Sequence, residues 1–157
     1  MKTLLANLAL GVLWMALTGT VTTWNLLLGL GLAYLVLRAT QGTRKRSVYF
    51  RKVPETLRFL GFFLRELVVS SLRVAYDVVT PRLHMRPAII AVPLDAKTDV
   101  EITLLACLLT LTPGTLTLDV SRDRKTLFVH AMFVGDYEPA RAAIKKGLEL
   151  RTLRLLR

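Results

Sequence analysis

Residues 3–37 contain no charged side chain, and no acidic residue occurs before Glu55. A soluble fold cannot present such a stretch to water. One bilayer span takes about 20 apolar residues, so these 35 residues are long for one span and tight for two. Thr18, Gly19, Thr20, Thr22 and Thr23 interrupt the run near its middle. The pattern predicts two short transmembrane helices, over 3–18 and 23–38, joined by a minimal turn. Lys2 and Arg38 extend them by snorkelling to the interface, and Trp14 and Trp24 lie near the turn as interfacial anchors. Gly29 and Ala33 make a small-xxx-small step that admits a neighbouring helix. A signal peptide is the competing reading of Lys2 and the apolar run behind it. The lack of an Ala-x-Ala site near residue 20 weighs against it.

The charge is sorted along the chain. The net charge is +11 and the pI about 10.5, although 53% of residues are hydrophobic. Six basic and no acidic residues fall within 38–52. Residues 39–53 are expected to form a basic cytoplasmic loop, in which Arg44, Lys45, Arg46, Arg51 and Lys52 set the topology and meet anionic lipid headgroups. With the hairpin over 1–38, both the N-terminus and everything after residue 38 are then cytoplasmic. Such a run would also bind nucleic-acid phosphates. Directly after a membrane span the topological explanation is simpler, and no nucleic-acid partner is expected.

A long helix is predicted over 54–81, opened by Pro54 and Glu55 and closed by Thr80-Pro81. Its charges, Glu55, Arg58, Arg65, Glu66, Arg73 and Asp77, fall within an arc of about 120°. As a third span it would bury four interior charges at about 2.5–3.5 kcal/mol each, against a return of about 5–9 kcal/mol from its apolar residues. An amphipathic helix lying in the interface avoids that cost. The third span stays open if neighbouring subunits pair those charges.

Residues 82–157 read as a small α+β domain of order β-α-β-β-α, placed in the cytoplasm. Ala88–Val92 is a short strand. Thr98 and Glu101 form a capping box that opens a helix to about Leu111. Thr112-Pro113-Gly114-Thr115 has proline then glycine at the centre of a type II turn. Leu116, Leu118 and Val120 alternate with polar residues in a second strand, and Thr126–Val134 forms a third. A closing helix covers 138–155. The third strand is apolar on both faces: Leu127, Val129 and Ala131 point one way, and Phe128, Met132 and Val134 the other. The second set is the candidate partner face, to be met by the third helix, the membrane or another protein.

No catalytic constellation is visible. His84 and His130 lack triad or metal-ligand spacing, Gly29-Leu30-Gly31 is not a dinucleotide loop, and there is no P-loop. The lone Cys107 is expected to be a buried structural thiol. No cofactor, metal or enzymatic activity is expected. An intramembrane ion path needs ionisable groups at depth, and residues 3–37 have none. Alone, then, the chain is not expected to be a transporter.

The run Leu108-Leu109-Thr110-Leu111-Thr112-Pro113-Gly114-Thr115-Leu116-Thr117-Leu118-Asp119-Val120, followed by Leu127-Phe128-Val129-His130-Ala131, resembles the E-type subunit family of Mrp-type (also called Mnh-type) multisubunit sodium/proton antiporters. Length, apolar N-terminus, basic loop and domain order agree with that family across the chain. Cys107-Leu108-Leu109 departs from the small or polar residues and isoleucine more usual before the motif. The resemblance implies an accessory subunit in a prokaryotic plasma membrane, whose partners are the other antiporter subunits and membrane lipids. In that family the large subunits carry the ion chemistry, and Thr112, Pro113, Gly114 and Thr115 would be structural. The alternative is a stand-alone membrane-tethered module that recruits a lipid or a cytoplasmic partner.

Overall fold

A computed structural model describes residues 2–40, 48–81 and 85–157. The chain divides into two compact units, Met1–Glu55 and Thr56–Arg157.

In the first unit, α1 (Lys2–Thr18) and α2 (Thr23–Thr40) pack side by side. At 1.5 Å per residue they measure roughly 25 and 27 Å. By length and composition α2 is long and apolar enough to cross a membrane, while α1 is a shorter apolar helix. Glycines set how closely they approach. A Cβ on Gly11 would lie 2.7 Å from Leu30 Cδ2, and one on Gly29 would lie 2.9 Å from Trp14 Cδ1. Gly29 and Ala33 are both buried against α1. Asn25 ties the turn: its Nδ2 donates to Thr18 Oγ1 (2.6 Å) and to the Thr20 carbonyl (2.7 Å), and its Oδ1 accepts from Trp14 Nε1 (2.9 Å).

The third helix begins earlier than its sequence suggests. α3 runs Val48–Val79 with Pro54 inside it, so Arg51 and Lys52 lie on a helix and not in a loop. Proline removes one helical hydrogen bond, at a cost of up to about 3 kcal/mol. Tertiary packing offsets this. Phe50 is buried, and its ring and that of Tyr49 lie 5.3 and 6.0 Å from Tyr34, while Asn7 Nδ2 donates to the Tyr49 hydroxyl at 2.6 Å.

In the second unit, β1 (Ala88–Pro93), β2 (Thr115–Val120) and β3 (Thr126–Ala131) form an antiparallel sheet in the order β1-β3-β2. Its inner face carries Ile90, Val92, Leu127, Val129 and Ala131. They pack with Leu105, Leu108 and Leu109 of α4 (Asp99–Leu111) and with Leu148 of the closing helix. That helix comprises α5 (Tyr137–Ile144), a π-helical turn over Lys145–Glu149 and α6 (Leu150–Leu156). Phe59, Phe62 and Phe63 of α3 also pack against this core.

Both sheet edges are capped by side chains. Arg141 Nε donates to the Ala91 carbonyl (2.9 Å) and Lys145 Nζ to that of Pro93 (2.6 Å). On β2, Thr110 Oγ1 accepts from the Thr117 N–H (3.3 Å). Strand addition by a partner is thereby blocked at these positions.

The alternation read in β2 is broken by a bulge. Thr117 pairs with Val129 and Asp119 with Phe128, so Leu118 is the extra residue. Thr115, Thr117 and Val120 face inward, whereas Leu116 and Leu118 are exposed.

Candidate functional site

The Thr112–Thr115 turn joins α4 to β2, and each residue in it has a definite task. Thr112 caps α4: its N–H donates to the carbonyls of Leu108 (3.2 Å) and Leu109 (3.1 Å), and its hydroxyl to Leu108 O (2.8 Å). Pro113 cannot continue the helix. Gly114 has φ +88°, a conformation without steric cost only for glycine. The Thr115 N–H closes the turn on the Thr112 carbonyl at 3.1 Å. The Thr115 hydroxyl donates to Leu109 O at 2.6 Å. From across the sheet, the Met132 N–H donates to the Gly114 carbonyl at 2.8 Å. A Cβ on Gly114 would meet Phe133 Cε2 at 3.4 Å and Val74 Cγ2 at 3.8 Å. The turn therefore knits together α4, β2, the end of β3 and α3.

A groove of about 360 Å³ opens beside the turn, walled by Phe62, Glu66, Ser70 and Arg73 of α3, by Phe133, and by Ala140 and Ile144 of α5. Its polar groups are engaged in holding structure. The Ser70 hydroxyl donates to the Glu66 carbonyl (2.6 Å), Glu66 Oε1 lies 3.3 Å from Arg65 Nη1, and the Arg73 guanidinium sits 5.7 Å from the Phe133 ring centroid. No nucleophile–base pair is assembled there. Among the described residues no three His, Cys, Asp or Glu side chains converge as metal ligands.

Two buried carboxylates fix the loop from Leu94 to Thr98. Glu149 accepts the Asp95 N–H (2.6 Å) and pairs with Lys145 Nζ (3.0 Å). Glu101 accepts the Lys97 N–H (2.8 Å) and the Thr98 N–H (3.2 Å) in the capping box, and also Arg157 Nε (2.9 Å). The Arg157 hydrogen bond, then those backbone donors, holds the Glu101 carboxyl down at about 2. Burial alone would lower the Lys145 ammonium, but its hydrogen bonds to Asp95 and Glu149 and their charges raise it above the usual lysine value. Sequence reading reached the Thr98–Glu101 half of this arrangement. It missed Arg157 and Glu149, for which only the Lys145–Glu149 spacing of four was a visible signal.

Several predicted positions need correction. Val134 is 5% exposed and part of the core, not of the outward face. β3 ends at Ala131, and the following residues leave the strand's alternation. Met132 is half-buried with its N–H on the turn. Phe128 does lie on the outer face, paired with Ala91 and Asp119; the next row across is Ile89, His130 and Leu116. Because α3 packs on the inner core, this outer face is left with Ile89, Leu116 and Leu118 exposed. Cys107 is exposed rather than buried, since α4 turns Leu105, Leu108 and Leu109 inward and Cys107 away. Arg44, Lys45, Arg46 and His84 lie outside the described residues. Arg51 is exposed on α3, and Lys52 Nζ lies 3.9 Å from Glu55 Oε2.

Comparison with known proteins adds a context to this geometry. A family model described as "Na+/H+ ion antiporter subunit" matches residues 7–155. The chain is 33% identical to the E-type Na(+)/H(+) antiporter subunit of Alkalihalophilus pseudofirmus, over 86% of this chain and 85% of that one. It is 34% identical to the protein of the same name from Bacillus subtilis, over 93% and 92%. Among solved structures, it is similar to a chain of the Mrp complex from Dietzia sp. DQ12-45-1b, with a TM-score of 0.52 and 30% identity over 65% of this chain and 96% of that one. A chain of the membrane-bound sulfane sulfur reductase, an archaeal respiratory membrane complex, aligns with a TM-score of 0.57 and 27% identity over 96% of each.

Proposed function

This chain belongs to the family of E-type Na+/H+ antiporter subunits, and from that membership we propose that it is a non-catalytic accessory and assembly component of a multisubunit sodium/proton antiporter in a prokaryotic plasma membrane. The observation that carries the reading is the lack of charged side chains in the hairpin between Lys2 and Arg38. Residues 3–37 include no ionisable acid or base of the kind an ion path uses. Of its two asparagines, neither of which titrates, Asn7 donates its Nδ2 to Tyr49 and Asn25 holds the interhelical turn. The large partner subunits would carry the ion chemistry, and the Thr112–Thr115 turn would be an architectural joint. In this reading α1 and α2 both cross the bilayer, the N-terminus and the α+β domain are cytoplasmic, and α3 lies along the cytoplasmic interface. Packing of Phe59, Phe62 and Phe63 onto the domain core supports the interfacial position over a third span.

Two measurements test this. A native detergent extract should carry the chain in a complex far larger than its own 17.6 kDa. Single cysteines at positions 21 and 45, in a Cys107→Ser background, should react with an impermeant reagent from outside intact cells only at position 21. Migration of the chain alone would overturn the subunit role, and labelling of position 45 from outside would overturn the topology.

A further inference from the structure

α3 has two apolar faces, and the second unit uses only one of them. Phe59, Phe62 and Phe63 pack inward. Leu57, Leu60, Leu64, Val68, Leu72 and Val79 fall on the opposite side, within an arc of about 120°. Their exposures run from 47% for Leu60 to 84% for Val79. A continuous apolar stripe of this kind does not stay in water.

Beside the stripe, the charges of the same helix differ by sign in where they lie. Asp77 is buried at 2% exposure, and Glu66 is half-buried along the groove beside the Thr112–Thr115 turn. Over residues 56–79 the charged residues in the exposed class are Arg58, Arg65 and Arg73, the last of them turned over the Phe133 ring beside the groove. Arg58 and Arg65 stand about 80–100° from Leu57 on the helix, side by side along one border of the stripe. The contact between Arg65 and Glu66 is an exposed ion pair, which is weak. An arginine stem can lie on apolar surface while its guanidinium reaches phosphate oxygens. Within the first unit, the opening turn of α3 is pinned through Tyr49 and Phe50 to Asn7 and Tyr34, towards the ends of α1 and α2 that carry Lys2 and Arg38. The helix thus starts at a membrane-interface end of the hairpin.

We propose that the outer stripe of α3 is a lipid-contacting surface selective for anionic phospholipid, with the Leu57–Val79 stripe against the acyl boundary and Arg58 and Arg65 on headgroup phosphates. This rests on the membrane-subunit reading above and deepens it by naming the lipid class and the residues that recognise it. The complementarity is one of sign: Arg58 and Arg65 border the stripe while Glu66 and Asp77 fall on the inward side of the helix, which fits a negative surface at a gain of roughly fivefold in partition per arginine.

The test uses the assembled complex in a Cys107→Ser background, with a fluorophore on Val68→Cys in the stripe or on Ser70→Cys facing inward. Vesicles of phosphatidylcholine, with or without phosphatidylglycerol, carry acyl-brominated lipid as quencher. Position 68 should be quenched and position 70 spared. Omitting phosphatidylglycerol should lower the ratio of seated to unseated helix at position 68 by at least roughly 25-fold, and Arg58→Gln with Arg65→Gln should weaken the dependence on phosphatidylglycerol by roughly 25-fold. If the double variant fails to assemble, the phosphatidylglycerol comparison on the otherwise unaltered chain still decides. An assembled complex in which position 68 escapes quenching would mean that a neighbouring subunit covers the stripe. Quenching indifferent to phosphatidylglycerol would mean no anionic selectivity. Either result overturns the proposal. Should the chain prove not to be part of a complex, the same measurement on the full-length chain in vesicles tests the lipid surface independently.

Discussion

Glu101 shows how much one side chain can organise. It is 5% exposed, closes the capping box of α4 and receives the Arg157 guanidinium. Its folded pKa of about 2 lies below the ordinary value of 4.5, chiefly because of the Arg157 hydrogen bond. Protonation therefore favours the unfolded chain: the stabilisation is complete above pH 4.5 and is lost as pH falls towards 2. Asp123, whose carboxylate is lowered by the Ser121 hydroxyl and the Lys125 N–H, adds to the same slope. The thermal midpoint of the detergent-solubilised chain should drop across that window, and Glu101→Gln should flatten the drop. A variant retaining the full drop would show that Glu101 is not its source. The capping box was legible because Thr98 and Glu101 are three residues apart. Arg157 was not, since 56 residues separate it from Glu101.

At the scale of elements, the decisive piece is the joint between α4 and β2. Gly114 at φ +88° aims β2 so that Thr115, Thr117 and Val120 face the core across the Leu118 bulge. Gly114→Val would force a β-branched residue into left-handed backbone, at about 1–3 kcal/mol, and would press its Cβ towards Phe133. A small domain has little margin for this. The expected outcome is less of this subunit in the purified complex, with sodium/proton exchange falling in proportion. A full complement of subunits without exchange would give the turn a direct part in transport. The turn's sequence announces its type, because proline and glycine restrict φ locally. The bulge announces nothing: Leu116, Leu118 and Val120 look like one face until β3 pairs with them.

For the molecule as a whole, the question is whether any group in α3 takes part in ion movement. Glu66 is the one to test, being half-buried beside a groove and paired with Arg65. Its surroundings are Ser70, Arg73 and aromatic rings already engaged in packing. Glu66→Gln should leave exchange by the assembled complex near wild type. Loss of coupling at normal subunit levels would contradict this and return α3 to the ion path. The rank order of exchange and assembly in Gly114→Val and Glu66→Gln then separates an architectural subunit from a conducting one.

The sequence by itself determined what depends on neighbours along the chain: two apolar helices and their turn near Gly19, the amphipathic third helix, the capping box, the proline–glycine turn and the family resemblance. Each rests on periodicity or on local φ preference, which act over a few residues. Only the tertiary structure decided where α3 begins, because the packing of Phe50 and Tyr49 on Tyr34 outweighs the start signal of Pro54. Tertiary pairing likewise sent Val134 inward, turned Cys107 outward and buried Asp77 of α3. Those outcomes depend on which distant surface arrives to cover a side chain, and helical or strand periodicity carries no record of that.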